Sequence, residues 1–372
     1  MTITRQILAP ATLSARAVWL AGLSLFVWGC SSSSDDSPGG GGSSVGGGAT
    51  AGTTSGSSAS AGKTNGGGTN SGSGANGGGS TGGSSSSGDP PLLGTFKIEV
   101  TADQSGPTTG TTSVLGKVSG GAVPMQTAWE TITTDGDCRL EKPRQPFCSP
   151  SCGSGVCVED DVCQDYPEAM AVGAVTLSGV KLSGGETSLA LREVAKAYQP
   201  PAGTTFAYPP FAEGDAVRLS AAGGGLPGFE VETTGVSPLW LSGEGFALEP
   251  DTALELTWNG ATDPKASSVH VKLDISHHGG SKGMIECDLD DTGSLSISAA
   301  LVTELLGLGV AGFPTIIVSR AASARATVGS GQVALVVAST TERAVSVPGV
   351  DSCTDTEQCP SGETCQADLT CQ

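Results

Sequence analysis

Histidine, basic residues and aromatic rings are all scarce in this chain. Three histidines and 18 lysines and arginines serve 372 residues, and aromatics make up 4%. Set against 37 acidic residues, the shortage of basic ones leaves a formal charge of −19, which repels nucleic acid and anionic lipid. No long apolar run occurs beyond Val27, so no later segment suits a membrane-spanning helix. The histidines, His270, His277 and His278, are too few to build a pair of histidine-rich metal centres. With aromatics so rare, each tryptophan reads first as a core anchor.

What is present begins at the amino terminus. Arg5 and Arg16 supply positive charge, no acid precedes Asp35, and Ala17 to Val27 is apolar apart from Ser24. That stretch is too short for a ~30 Å hydrocarbon core and suits the apolar region of an export signal. The run Val27-Trp28-Gly29-Cys30 resembles a lipobox, although Trp28 departs from the small or β-branched residue usual there. The resemblance implies cleavage before Cys30 and attachment of acyl chains (palmitate-type) to its thiol, giving a stable anchor in a bacterial membrane. Ser31 lacks the Asp that often retains such proteins at the inner membrane, so the outer membrane is expected. Residues 1–29 are thus the expected signal peptide. Residues 30–90 are Gly, Ser, Thr, Ala and Asn almost throughout. A segment with nothing apolar to bury is expected to be a disordered tether, with a reach of roughly 40 Å.

Setting Cys30 aside leaves ten cysteines, an even number in an exported chain, and disulfides are expected. Four form one block, Cys148, Cys152, Cys157 and Cys163; four form another, Cys353, Cys359, Cys365 and Cys371. The blocks look like diverged copies of one knot, and neither has a neighbouring His to favour zinc. If all are paired, Cys287 must bond into the first cluster, with Cys138 the preferred partner because it lies outside the four-Cys repeat.

Residues 91–350 show short β runs between Gly/Pro turns, with a Cys-rich insertion at 138–163 and a Cys-rich module at 351–372. Alternation is clearest at Phe96–Val100, Ala216–Leu219, Phe229–Glu232, Leu254–Trp258 and Val269–Ile275. Thr315–Ser319 and Val333–Ala338 are continuously apolar and read as central strands. One helix is expected over Ala299–Leu306, capped by Ser298 and ended by a left-handed Gly307. The expected fold class is mainly β, an antiparallel sandwich of about 12 strands, either one large or two small. The run ISHHGGSKGMIECDLDDTGSLSISAALVTELLGLGVAGFPTIIVSR, with GLPGFEVET and LELTWNG before it, resembles a β-sandwich module of myxobacterial surface lipoproteins. Its marks are a Trp-bearing strand, a Cys strand, a D-x-G-S turn, a short helix and a strand ending in Arg. The knots loosely resemble Dickkopf-type cysteine-rich modules. The resemblance implies no activity.

Three sites are candidates. His277-His278-Gly279-Gly280 resembles the S-H-H-G stretch of metallo-β-lactamase-fold hydrolases, but their upstream histidine cluster is missing. A single metal site from His277, His278 and Asp288 would make the chain an envelope hydrolase. Asp288, Asp290 and Asp291 ring a tight turn whose oxygens suit calcium; no cofactor is otherwise expected. Trp240, Tyr208 and Phe211 form a candidate exposed ligand patch. No catalytic residue is assigned. The expected role is non-enzymatic: a lipid-anchored surface protein with a binding or structural part at the cell envelope, its ligand a protein or a glycan and not nucleic acid.

Overall fold

The computed structural model describes residues 89–103 and 105–372. The expected signal peptide, Cys30 and nearly all of the expected tether lie outside these residues.

Eighteen strands and one helix follow in chain order. They are β1 (Leu92–Asp103), β2 (Gly106–Val118), β3 (Ala128–Asp135), β4 (Cys138–Arg144), β5 (Val156–Glu159) and β6 (Val162–Gln164). Next come β7 (Val175–Ser178), β8 (Ser188–Val194), β9 (Ala197–Gln199), β10 (Ala216–Ala221), β11 (Phe229–Thr234) and β12 (Phe246–Ala247). The rest are β13 (Leu254–Thr257), β14 (Ser268–Asp274), β15 (Met284–Asp290), β16 (Ser294–Ile297), α1 (Ala299–Leu306), β17 (Thr315–Val328) and β18 (Gly331–Ser346). The fold is mainly β, as composition and alternation suggest. No helix among the described residues is long and apolar enough to cross a membrane.

Thirteen strands form one hydrogen-bonded path in the order β11-β10-β7-β8-β9-β2-β1-β18-β17-β14-β15-β4-β3. Beneath it lie two separate apolar cores. In lobe 1, β1, β2, β7, β8, β10 and β11 bury their alternate residues around Phe96, Tyr198, Phe211 and Leu219. There β11 comes back against β17 and β18 without pairing to them, so that end of the sheet curls over its own core. In lobe 2, β14, β15 and β4 face the short β13–β16 pair and α1, enclosing Leu256, Trp258, Val271, Ile285 and Leu305.

The two lobes share one hairpin. β17 gives Ile316 and Val318 to the lobe 2 core and Ala322 and Val328 to lobe 1; β18 gives Val333, Leu335 and Val337 to lobe 1 and Val345 to lobe 2. These residues keep one parity along each strand, so a single face of the hairpin serves both cores. The choice between one large and two small sandwiches resolves into two cores on one continuous sheet. Of the two apolar runs expected at its centre, Thr315–Ser319 opens a 14-residue strand and Val333–Ala338 lies within a 16-residue one.

Helix α1 has the expected bounds, and the Ser298 side chain accepts from the Leu301 amide. Gly307 is a correction: its φ of −62° is right-handed, and the left-handed turn falls at Gly309, φ +87°. Cys138 also moves. It begins β4 of the lobe 2 sheet and does not belong to the inserted knot.

Candidate functional sites

Where the lobes meet, the shared face turns polar. Arg320 and Ser339 stand directly opposite each other on β17 and β18, and both are fully buried. The Arg320 guanidinium pairs with the Asp291 carboxylate, also 0% exposed. It further donates to the Ser237 carbonyl at 3.0 Å, the Ser237 hydroxyl at 2.9 Å and the Asn259 carbonyl. Trp258 Nε1 and Ser267 Oγ complete the shell of Asp291 at 2.8 and 3.1 Å. Burial alone would raise the Asp291 carboxyl, but the hydrogen bonds from Arg320 and Trp258 outweigh it and hold the group below its ordinary range. Ser339 Oγ reaches both lobes, donating to the Val100 carbonyl of lobe 1 at 3.0 Å and accepting from the Leu239 amide of lobe 2 at 2.8 Å. The Trp strand, the D-x-G-S turn and the terminal Arg of the sequence run therefore meet in one buried network. It holds the fold together.

The three carboxylates of the calcium expectation are not gathered at one point. Asp291 is spent on Arg320, and Asp288 faces the opposite side of the sheet. Asp288 Oδ1 lies 2.8 Å from His270 Nδ1, and Oδ2 accepts from Arg139 at 2.6 Å. Arg139 also pairs with Glu286 and Glu141, forming a charged row across β4, β15 and β14. The His270 hydrogen bond, with the Arg139 one behind it, depresses the Asp288 carboxyl to about 2 against the opposing effect of burial. Asp290 is exposed. Among the described residues these carboxylates form no cluster within metal-ligating distance.

The hydrolase trio is not assembled either. Asp288 is registered against His270 on β14. His277 and His278 lie in the loop beyond the far end of that strand, seven and eight residues further on than His270. They stack on each other with ring centroids 4.0 Å apart, and His278 is in the left-handed region at φ +64°. The loop carries Gly279-Gly280-Ser281-Lys282-Gly283, which spells G-x-S-x-G. It connects β14 to β15 and lacks the strand-to-helix turn that exposes such a serine as a nucleophile. Among the described residues no hydrogen bond joins Ser281 to either histidine.

What the loop does is seat the carboxy terminus. A Cβ on Gly279 would meet the Asp368 carbonyl at 2.7 Å and collide with Gly312, so this close crossing requires glycine. The Gly312 amide donates to the Asp368 carbonyl at 2.7 Å, and Ser352 Oγ donates to the Gly312 carbonyl at 2.5 Å.

No family model and no curated protein matches this chain.

The expected aromatic patch is a correction. Phe211 is 1% exposed and plugs the lobe 1 core. Tyr208 is half-buried against Gly110 of β2; burial, with Asp103 nearby, pushes its hydroxyl up to about 12. Trp240 is half-buried, and its amide donates to Asn259 Oδ1 at 2.6 Å. These three do not make an exposed surface.

The cysteines pair as Cys138–Cys287, Cys148–Cys157, Cys152–Cys163, Cys353–Cys365 and Cys359–Cys371. The first joins directly opposed residues of β4 and β15. Each four-Cys block pairs first to third and second to fourth, with Cα separations of 5.9 and 5.4 Å in both. In both, the third and fourth cysteines face each other across a hairpin whose fourth loop residue is left-handed, Asp161 at φ +58° and Leu369 at φ +62°. The blocks are two copies of one motif. Beside the first, an open groove of about 660 Å³ runs between Gln126, Pro143, Arg144 and Tyr166.

Proposed function

We propose that the chain is an exported lipoprotein, anchored through Cys30 in a bacterial envelope membrane, the outer one by our reading, whose stapled β body binds a protein or a glycan there. One observation carries this most directly. The five disulfides consume all ten cysteines from Cys138 to Cys371, leaving Cys30 as the one cysteine outside the body's covalent framework. A lone thiol behind an apolar signal has a ready use in acylation. The binding part of the reading is supported by how the charged groups are used. Asp288, Asp291 and Arg320 are each held in ion pairs and His270 is hydrogen-bonded to Asp288, while most exposed large apolar residues among those described belong to the segment from Val123 to Tyr166 that carries the first Cys motif.

Mass spectrometry of the mature amino terminus tests the anchor. Acylated Cys30 is expected, and Cys30→Ser should move the protein from the membrane to the soluble fraction. An unmodified amino terminus away from Cys30 would refute the anchor.

A further inference from the structure

The two copies of the Cys motif differ in what covers the same face. In the carboxy-terminal copy that face is docked on lobe 2. Cys353 is 0% exposed and Thr370 3%, Ser352 bonds to Gly312, and the Asp368 carbonyl takes the Gly312 amide. Aligning the cysteines places Phe147 where Ser352 stands, Asp160 and Asp161 where Asp368 and Leu369 stand, and Val162 where Thr370 stands. In the first copy this face is open. Phe147 is 72% exposed and Val162 48%. The geometry is held, not loose: Asp160 Oδ1 accepts from the Phe147 amide at 2.9 Å, and Asp161 Oδ1 accepts from the Ser149 amide at 3.0 Å. Among the described residues, six of the nine large apolar side chains that are exposed fall between Val123 and Tyr166, the chain segment that carries this open face.

From this we infer that the Phe147–Val162 face of the first Cys motif is a docking surface for a second protein, one presenting an apolar seat rimmed by basic residues. The inference rests on the binding role proposed above and names its surface. The apolar centre follows from Phe147 and Val162, and the basic rim from the exposed acids around them, Glu159, Asp161 and Asp165; Asp160 is already paired with Arg144 at 3.2 Å. A second copy of this chain does not fit. The seat that takes this kind of face, at Gly279 and Gly312, is already filled by the chain's own carboxy-terminal motif, and a formal charge of −19 opposes self-association.

The test places a photo-cross-linking residue at the face in the full chain, Phe147→p-benzoylphenylalanine, in the cells that make the protein. The same analogue at Val194, exposed on lobe 1, is the control. The expected product is one adduct with a basic protein, absent from the control. Once purified, that protein should bind the wild-type chain and lose affinity at least about tenfold to Phe147→Ser or Val162→Thr, with binding weakening as salt rises. Both substitutions install the residue of the docked copy, so the motif still closes; retention of five disulfides by mass confirms it. An adduct with a second copy, with a glycan or with a protein lacking basic character overturns the inference, as does unchanged binding by the two variants. If Phe147 gives no adduct but the analogue at Trp240 does, this face is wrong and the binding role survives. If no position gives one, both fall.

Discussion

Lobe 1 and lobe 2 share a sheet and a hairpin yet hold themselves together by different means. Lobe 1 has no disulfide among its described residues. It relies on Phe96 packed against Tyr198 and Phe229, at centroid distances of 5.7 and 6.4 Å, with a buried Tyr198 hydroxyl that accepts from the Val172 amide at 2.7 Å. Lobe 2 adds covalent and ionic ties to its packing: the Cys138–Cys287 bridge, the Arg139 row on its outer face, and the Asp291–Arg320 pair at its junction. Apolar packing tolerates conservative exchange, since adjacent side chains can shift. A buried ion pair does not, because removal of one partner strands the other. The lobes should therefore fail under different insults.

The largest effect is expected at the junction. Arg320→Ala leaves Asp291 buried without its counter-charge and should cost about 3–5 kcal/mol, the range for a broken buried pair. Because Arg320 sits opposite Ser339 at the change from one core to the other, the loss should also uncouple the lobes. Urea denaturation followed by hydrogen exchange would then show lobe 2 amides opening before those of lobe 1. A single cooperative transition at unchanged midpoint would contradict this role for the pair.

Next is the bridge across β4 and β15. Closing a loop with a sequence separation of 149 removes denatured-state entropy worth about 5 kcal/mol in the chain model, and measured losses for native disulfides run about 2–5 kcal/mol. Cys138→Ala with Cys287→Ala should fall in that range, with faster exchange confined largely to lobe 2. Equal acceleration in both lobes would mean that the shared hairpin transmits stability, and the contrast drawn here would lose its force.

How much of this could be read from the chain depends on the range of the interaction. Alternation at Phe96–Val100 and Val269–Ile275 marks strands because it is local, and Ser298 marks a helix start for the same reason. The Cys138–Cys287 pairing could be preferred from parity together with the position of Cys138 outside the four-Cys repeat. The Asp291–Arg320 pair could not: an Arg at the end of an apolar strand looks like a surface residue until β13, β16 and the 291–293 turn are folded over it. The second half of β17, Ala321 to Val328, carries small and polar residues between its buried positions and gave no apolar signal. Phe211 follows two prolines, which read as an exposed turn, yet that turn directs the ring inward. The scatter of the candidate metal ligands was illegible for a related reason. Sequence proximity grouped Asp288, Asp290 and Asp291, whereas alternation keeps Asp288 and Asp290 on the outer face and turns Asp291 inward.

Acid should separate the lobes more gently than either mutation. Every described carboxyl with a resolved depression lies outside lobe 1: Asp288 and Asp291 in lobe 2, and Asp160 beside the first Cys motif. Asp288 is held at about 2 in the folded chain, below the ~3.9 of an unfolded aspartate. A group depressed on folding contributes stability that is complete above its unfolded value and lost as pH falls through the folded one. For Asp288 that window runs from about 4 down to about 2. Because its carboxylate is partly exposed, solvent screening keeps the effect small. Between pH 4 and 2, hydrogen exchange should quicken first on β4, β14 and β15 while β7, β8 and β10 stay protected. Asp288→Asn should flatten that early response, since the amide cannot titrate. If lobe 1 opens first, or if Asp288→Asn leaves the acid profile unmoved, the charged row is surface ornament and the stability of lobe 2 must be assigned to its core and its disulfide.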